Sequence, residues 1–222
     1  MNVLSIQTAR SIWLFPTNYL NPNGRSMIPA VNGIIERYSF LESTPPLTEA
    51  FGSEKKSLEL KIGEFTTPDD RTIEVSLDFH GDGLVAETRS STHDSDLFLE
   101  DVLTFLNENF SLAPYCELPI NQKYLSEIFF ALTDTPDFSS DLTNSFVEKS
   151  SSYINCDKVG HFQITGLHLA TDPELSNTPS FIRVEREVGA PFSANRFFSS
   201  GTIKTSEHIN LLEALGTVVE VF

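Results

Sequence analysis

The chain has 222 residues and a hydrophobic fraction of 40%, with 15 Lys and Arg residues against 31 Asp and Glu residues. This composition is typical of a globular protein and excludes disordered, collagen-like and coiled-coil chains. The formal net charge of −16 argues against autonomous nucleic-acid binding, because attraction to a phosphate backbone needs clustered Lys and Arg side chains. A chain of this length can bury a sufficient core without a metal ion or a disulfide.

The beginning of the sequence and its cysteines predict a cytoplasmic protein that does not associate with membranes. Residues 1–10 lack the basic and then apolar order of a secretory signal. No apolar run reaches the ~18 residues of a membrane span. Cys116 and Cys156 fit neither a zinc-site spacing nor a secreted disulfide framework, so both are predicted to be free thiols. No cofactor is predicted.

The first half of the chain predicts a central strand, a helix and a three-stranded meander. Residues 3–15 are apolar on both faces, which is typical of a central strand. A helix follows Pro29, which can occupy a first helical turn. Alternating apolar and polar residues in 58–62 and 73–79 predict two antiparallel strands, and 84–89 returns as a third after a Gly-Asp-Gly turn.

The remaining elements alternate between strands and capped helices. An apolar stripe predicts a helix over residues 92–109, with an acidic start that suits the helix dipole. A final helix is expected after Thr205. The other predicted elements are strands at 128–132, 162–169, 181–188 and 218–222 and a helix at 138–151 capped by Asp137.

These elements predict an α+β fold with an antiparallel or mixed sheet of about 6–8 strands covered by three or four helices. The chain is expected to form a single domain, 1–222, with residues 1–113 and 114–222 as candidate structural halves. Residues 92–106 resemble residues 205–215, which is consistent with an internal duplication. Two capped amphipathic helices also look alike without common ancestry, and the sequence favours this simpler interpretation.

Two groups of acidic residues are candidates for chemistry. Asp78, His80 and Asp82 lie around one predicted hairpin tip and are the candidate metal ligands, although ordinary turn chemistry explains them. The candidate catalytic acids, where a buried strand meets a helix, are Asp134, Asp137 and Asp141. Helix capping and loop solvation explain these acids too, so no catalytic residue and no bound metal are predicted.

The most informative segment is rich in arginine and phenylalanine. Strand alternation places Arg186 on the apolar face beside Val184 and Val188, and a buried arginine needs a carboxylate or an anion. Arginines among aromatic side chains are also typical of protein interfaces. The candidate binding residues are Arg183, Arg186, Phe192, Arg196, Phe197 and Phe198. The sequence leaves open whether this segment binds a ligand, a protein or only internal carboxylates.

The function that we expect is a non-enzymatic, intracellular protein-interaction or assembly subunit that binds a protein partner or forms a homo-oligomer. One alternative is a metal-dependent hydrolase or nucleotide-processing enzyme that uses the clustered aspartates with an arginine. A second alternative is an acidic mimic of nucleic acid, because a surface of this charge can occupy a basic groove. The sequence does not settle whether the protein is an enzyme, but the absence of a recognisable catalytic motif favours a binding role.

Overall fold

The structure is a computed structural model that describes residues 1–44, 57–133, 141–153, 163–172, 174 and 180–217. The strands are β1 (Asn2–Leu14), β2 (Glu42–Thr44), β3 (Leu58–Thr66), β4 (Thr72–His80), β5 (Gly83–Thr88), β6 (Asn121–Ala131), β7 (Gly166–Ala170), β8 (Phe181–Arg186) and β9 (Arg196–Gly201). The α-helices are α1 (Thr17–Leu20), α2 (Ile28–Arg37), α3 (Thr92–Phe110), α4 (Asp141–Tyr153) and α5 (Thr205–Thr217). Short 3-10 turns occupy Tyr115–Glu117 and Phe192–Ala194.

The fold is of the mixed α+β type, with one antiparallel sheet. Its nine strands exceed the predicted range of 6–8, and the described residues form five α-helices rather than three or four. Two of the strands were not anticipated, because β2 is very short and β9 lies in a stretch that resembles a loop. The strand expected at 218–222 falls outside the described residues.

The strand order in the sheet is β2-β3-β4-β5-β1-β6-β9-β8-β7. The prediction of β1 as a central strand is therefore confirmed, as is the β3-β4-β5 meander. Apart from α1 and β2, the element order is strand, helix, three strands and helix, and it occurs twice along the chain. The order β3-β4-β5-β1 also corresponds to β7-β8-β9-β6.

The chain divides into two compact units that do not follow this repeated order. Unit 1 comprises Met1–Ser5, Ile128–Gly201 and Ile209–Phe222, and unit 2 comprises Ile6–Glu127 and Thr202–His208. Strands β1 and β6 each contribute residues to both units. Each unit has its own hydrophobic cluster.

The core of unit 2 lies between the meander and helices α2 and α3. Phe98 on α3 is fully buried, and its ring centre lies 5.0 Å from that of Tyr38 in an edge-to-face arrangement. Gly63 on β3 lies against the ring of Phe40, which leaves no room for a Cβ atom. The alternating pattern of β4 places Val75 and Leu77 in this core and its polar side chains on the opposite face. On β5, Leu84 and Ala86 are buried in the core, whereas Val85 lies on the opposite face with Glu87.

The core of unit 1 is smaller and lies against α5. Phe130 and Phe197 are fully buried and stack with ring centres 5.5 Å apart and planes 25° apart. Leu212 of α5 and Val184 of β8 belong to the same cluster. Leu212 is the buried residue of α5 in this cluster, whereas the neighbouring Leu211 is 42% exposed.

Two helix N-termini in unit 2 cap each other. The Thr92 N–H donates to Thr205 Oγ1 at 3.0 Å, and the Thr205 N–H donates to Thr92 Oγ1 at 3.0 Å. Both threonines are 2% exposed. Each hydroxyl thus satisfies a buried N–H that the first turn of a helix leaves without an intrahelical partner. The exchange ties the start of α3 to the start of α5.

Replacing Thr205 by Val should lower the free energy of unfolding by about 1–2 kcal/mol, because the buried Thr92 N–H loses its acceptor. Thr205→Ser keeps the oxygen and should retain most of the stability. Urea denaturation monitored by circular dichroism measures both variants. Equal losses in Thr205→Val and Thr205→Ser would show that the methyl group, and not the reciprocal cap, provides the stabilisation.

Candidate binding surface

The β8–β9 hairpin positions the arginine that the sequence singled out. Arg186 lies opposite Phe197 in the antiparallel register. Its guanidinium carbon is 4.6 Å from the ring centre of Phe192 and 5.0 Å from that of Phe197. One terminal nitrogen of Arg186 donates to the Phe192 carbonyl oxygen at 3.0 Å. The arginine therefore contacts the Phe192 turn through one hydrogen bond and one cation–π contact, and a second cation–π contact joins it to Phe197 on β9.

The expectation of a buried Arg186 paired with a carboxylate is wrong. Arg186 lies on the same face as Val184, as strand alternation predicted, but it is only half-buried. Its hydrogen bond goes to a carbonyl oxygen, and its flat guanidinium faces aromatic rings. These contacts compensate the partial loss of hydration. Val188, expected on the apolar face, is 95% exposed because β8 ends at Arg186.

Phe192 is the exposed aromatic residue of this hairpin. It begins the 3-10 turn that follows Pro191, and 44% of its surface is exposed. The turn ends at Asn195, whose φ of 46° lies in the left-handed region that asparagine tolerates well. Phe192 is therefore exposed, but its position is restrained, because both its carbonyl oxygen and its ring contact Arg186.

Phe197 does not belong to an exposed patch, contrary to the sequence interpretation. It is fully buried, because residues 196–201 form β9 rather than a loop. Phe198 points to the opposite face of the strand and is half-buried. Its ring centre lies 5.2 Å from that of Phe129 on β6, a contact that sequence reasoning did not identify.

The two other arginines of the segment are exposed and pair with carboxylates in the same hairpin. Arg196 Nε lies 2.7 Å from Glu187 Oε2, and an Arg183 terminal nitrogen lies 2.8 Å from Glu185 Oε1. These pairs reduce the attraction of the segment for a free anion. Arg183, Arg196 and Phe198 lie on the face of the two strands opposite to Arg186. We therefore call only Arg186 and Phe192, which contact each other at the turn of the hairpin, the β8–β9 surface.

The candidate metal ligands lie around the β4–β5 hairpin. Asp78 and His80 share one face of β4, and Asp82 lies in the turn, where its carbonyl accepts the Phe15 N–H at 2.8 Å. Burial, with a contribution from the nearby Glu59, raises the pKa of Asp78. Across the described residues, no group of three or more His, Cys, Asp or Glu side chains could hold a metal ion.

The candidate catalytic acids are mostly beyond what the structure describes. Asp134 and Asp137 lie outside the described residues. Asp141 is the first described residue of α4, and its side chain is also outside the described set. The hypothesis of a catalytic aspartate cluster stays a hypothesis.

A polar groove of about 260 Å³ opens on the β2-β3-β4-β5 part of the sheet. It lies where β3 bulges between Leu60 and Gly63, and Ile62 in this bulge has a φ of 58°. The charged residues that line it are Glu42, Lys61, Glu74, Glu87 and Arg89. Lys61 pairs with Glu59 of the same strand at 2.9 Å, and Glu87 pairs with Arg10 of the neighbouring strand β1, so ion pairs account for part of this charge.

A Ser–His pair is buried in unit 2, and sequence reasoning missed it. Ser126 Oγ lies 2.6 Å from His208 Nδ1, and both residues are fully buried. The sequence feature that could have indicated the burial of His208 is its position one helical turn before the apolar Leu212 on α5. Burial lowers the pKa of His208 to about 4, so the imidazole is neutral near pH 7. A substrate cannot reach this pair, which makes it a structural element rather than a catalytic dyad.

The neutral His208 predicts a loss of stability in acid. Between pH 6.5 and about 4 the unfolded chain binds a proton at this position that the folded protein does not, so the free energy of unfolding falls as pH falls. The contribution reaches about 3 kcal/mol below this window. His208→Gln should remove that part of the pH dependence, whereas His93→Gln, on an exposed residue, should retain it. Urea titrations from pH 7 to about 4 measure the difference, and identical slopes for His208→Gln and wild type would contradict the assignment.

Comparison with known proteins gives no relative from which a function could be transferred. The chain matches no protein-family model and no curated protein sequence. In the described part of the chain, no helix is long and apolar enough to cross a membrane.

The contacts of Arg186 predict a modest contribution to stability. Arg186→Met should lower the free energy of unfolding by about 1–2 kcal/mol, the sum of one hydrogen bond and the cation–π contacts. Arg183→Met, which removes only an exposed ion pair, should cost less than about 1 kcal/mol. Guanidinium denaturation of both variants tests this. A loss above about 3 kcal/mol for Arg186→Met would indicate an uncompensated buried charge instead.

Proposed function

We propose that this protein is a non-enzymatic, cytoplasmic protein-interaction subunit that binds a protein partner through the β8–β9 surface. The observation that carries the proposal is the geometry of Phe192. Its ring is 44% exposed, while Arg186 holds both its backbone carbonyl and its ring.

A fixed and exposed aromatic ring is well suited to binding. Association costs about 0.5–1.5 kcal/mol for each flexible side chain that must be ordered, and a ring already held in place loses little of this freedom. Aromatic and arginine side chains also dominate the binding energy of most interfaces. Phe192 and Arg186 therefore have the composition and the rigidity of an interface anchor.

The charge of the chain indicates the chemistry of the partner. A protein of net charge −16 attracts basic surfaces and repels acidic ones. Electrostatic attraction of this kind raises association rates more than it raises affinity, and it weakens with added salt. We infer a partner with a basic rim around an apolar pocket that receives Phe192.

Neither alternative function has a comparable structural observation in its favour. The candidate catalytic acids lie largely outside the described residues. Mimicry of nucleic acid requires rows of acids without counter-charges, whereas several described acids pair with arginines of the chain itself, as Asp101 does with Arg37.

Site-specific photocross-linking tests the proposal. A photoreactive phenylalanine analogue at position 192 should cross-link a discrete partner in extract of the native cells, and the same analogue at Tyr19 should not. Tyr19 is a matched control because it is an aromatic residue with 54% of its surface exposed in unit 2. The partner is then purified and its affinity is measured by calorimetry.

Phe192→Ala should weaken this binding at least about 30-fold, which corresponds to about 2 kcal/mol for an anchor residue. Tyr19→Ala should change the affinity less than about twofold. Equal cross-linking from positions 192 and 19, or equal affinities of the two alanine variants, would refute the proposed surface.

A further inference from the structure

We propose that the free edge of β7 pairs with the same edge of a second copy of this chain, antiparallel and two-fold symmetric about His168. Strand β7 is the last strand in the sheet order, and its described neighbour is β8 alone. The resulting homodimer would continue the sheet from one copy into the other. This interface is separate from the β8–β9 surface and does not depend on the proposed function.

The hydrogen-bonding phase of β7 shows which backbone groups face the free edge. The Arg186 N–H donates to the Thr165 carbonyl at 2.8 Å, and the Thr171 N–H donates to the Ser180 carbonyl at 2.8 Å. Odd-numbered residues of this segment therefore direct their N–H and C=O groups toward β8. In an antiparallel strand the alternate residues direct theirs the other way. The groups of Gly166, His168 and Ala170 thus point to the free edge.

This phase fits a two-fold axis at His168. The two His168 residues form a mutual hydrogen-bonded pair, and Gly166 of each copy pairs with Ala170 of the other. Each such pair exchanges two backbone hydrogen bonds, which gives about six across the interface. A two-fold interface must be self-complementary, and this register satisfies the requirement with every outward-facing group of the strand.

The same register brings exposed leucines together. Leu167 of one copy lies opposite Leu169 of the other, in the non-hydrogen-bonded pairs where side chains are closest. Leu167 is 39% exposed and Leu169 is 54% exposed in the single chain. On β8 their cross-strand neighbours are Val184 and Ile182, so the four leucines of a dimer would extend an existing apolar face.

The edge also lacks the devices that usually prevent strand pairing. Natural edge strands are protected by lysine, proline, bulges or inward-pointing charges. Strand β7 reads Gly-Leu-His-Leu-Ala, with no acidic residue, lysine or proline in a chain of net charge −16, and its pairing with β8 is regular. Because β7 has no acidic side chain, two copies of this negatively charged chain experience little local electrostatic repulsion at this edge.

The opposite edge of the sheet differs, and this limits the assembly to two copies. The described part of β2 comprises only Glu42–Thr44, which are all exposed and include an acidic side chain. An edge of this kind is a poor template for pairing. One adhesive edge per chain gives a closed dimer rather than a filament.

The dimer is expected to be weak. A strand of five residues spans only about 17 Å, so the interface falls in the small class of transient complexes. Sedimentation velocity of the full chain between roughly 1 and 200 µM covers the range in which such interfaces associate. Wild type should shift from monomer to dimer across this range.

Leu169→Lys should abolish the shift, because it places a charge at the centre of the leucine cluster. Leu211→Lys, on α5 with 42% of its surface exposed, is the matched control and should dimerise like wild type. His168→Pro should also give a monomer, since it removes an N–H that only the dimer uses. Circular dichroism verifies that each variant is folded. If either Leu169→Lys or His168→Pro fails to fold, the remaining variant of these two provides the test.

A wild-type chain that stays monomeric throughout the range would overturn the inference. A dimer that persists in folded Leu169→Lys or His168→Pro would overturn it as well. Phe192→Ala should leave the dimer intact, and Leu169→Lys should leave cross-linking from position 192 intact, so that failure of either proposal can be distinguished from failure of the other.

Discussion

Successive side chains of a strand point to opposite faces, and this alternation determines which residues of the protein can bind and which must pack. Phe197 and Phe198 are neighbours in sequence, yet Phe197 stacks in the core of unit 1 and Phe198 meets Phe129 on the other face. In unit 2 the same rule directs Leu77 into the core and Asp78 away from it. A substitution on the core face of a strand is therefore expected to change stability, whereas a substitution on the outer face is expected to change binding.

A sheet binds a partner through groups that are exposed to solvent but are held in a defined position by contacts within the chain. The β8–β9 hairpin provides such groups, because the Arg186 side chain joins the end of a strand to the turn that carries Phe192. The free edge of β7 provides another kind, since its backbone groups are ordered by pairing on one side only. Binding at either place orders few additional residues.

The spacing of apolar and polar residues along the sequence was sufficient to predict much of the fold. The alternation of β3 and β4 and the apolar stripe of α3 are strong local signals, and all three elements lie close to their predicted positions. Strand β9 was missed because Pro191, Ser193 and Asn195 precede it and give the segment the composition of a loop. Alternation also placed Arg186 on the correct face, but its partner depends on Phe192 in a turn whose geometry no periodicity encodes. The buried Ser126–His208 contact joins residues far apart in sequence, which single-sequence reasoning cannot pair.

The central position of β1 has a consequence for the order in which structure can form. The meander β3-β4-β5 pairs neighbours in sequence, so its ladders close through short turns. Strand β1 pairs with β5 across the whole of that meander, with Ala9 opposite Thr88, and its other neighbour, β6, is further along the chain still. Contacts that join distant segments close large loops and slow folding. Strand β1 around Trp13 therefore depends on segments far along the chain for both of its ladders, and a folding intermediate that contains only the meander leaves this long strand unpaired along both edges.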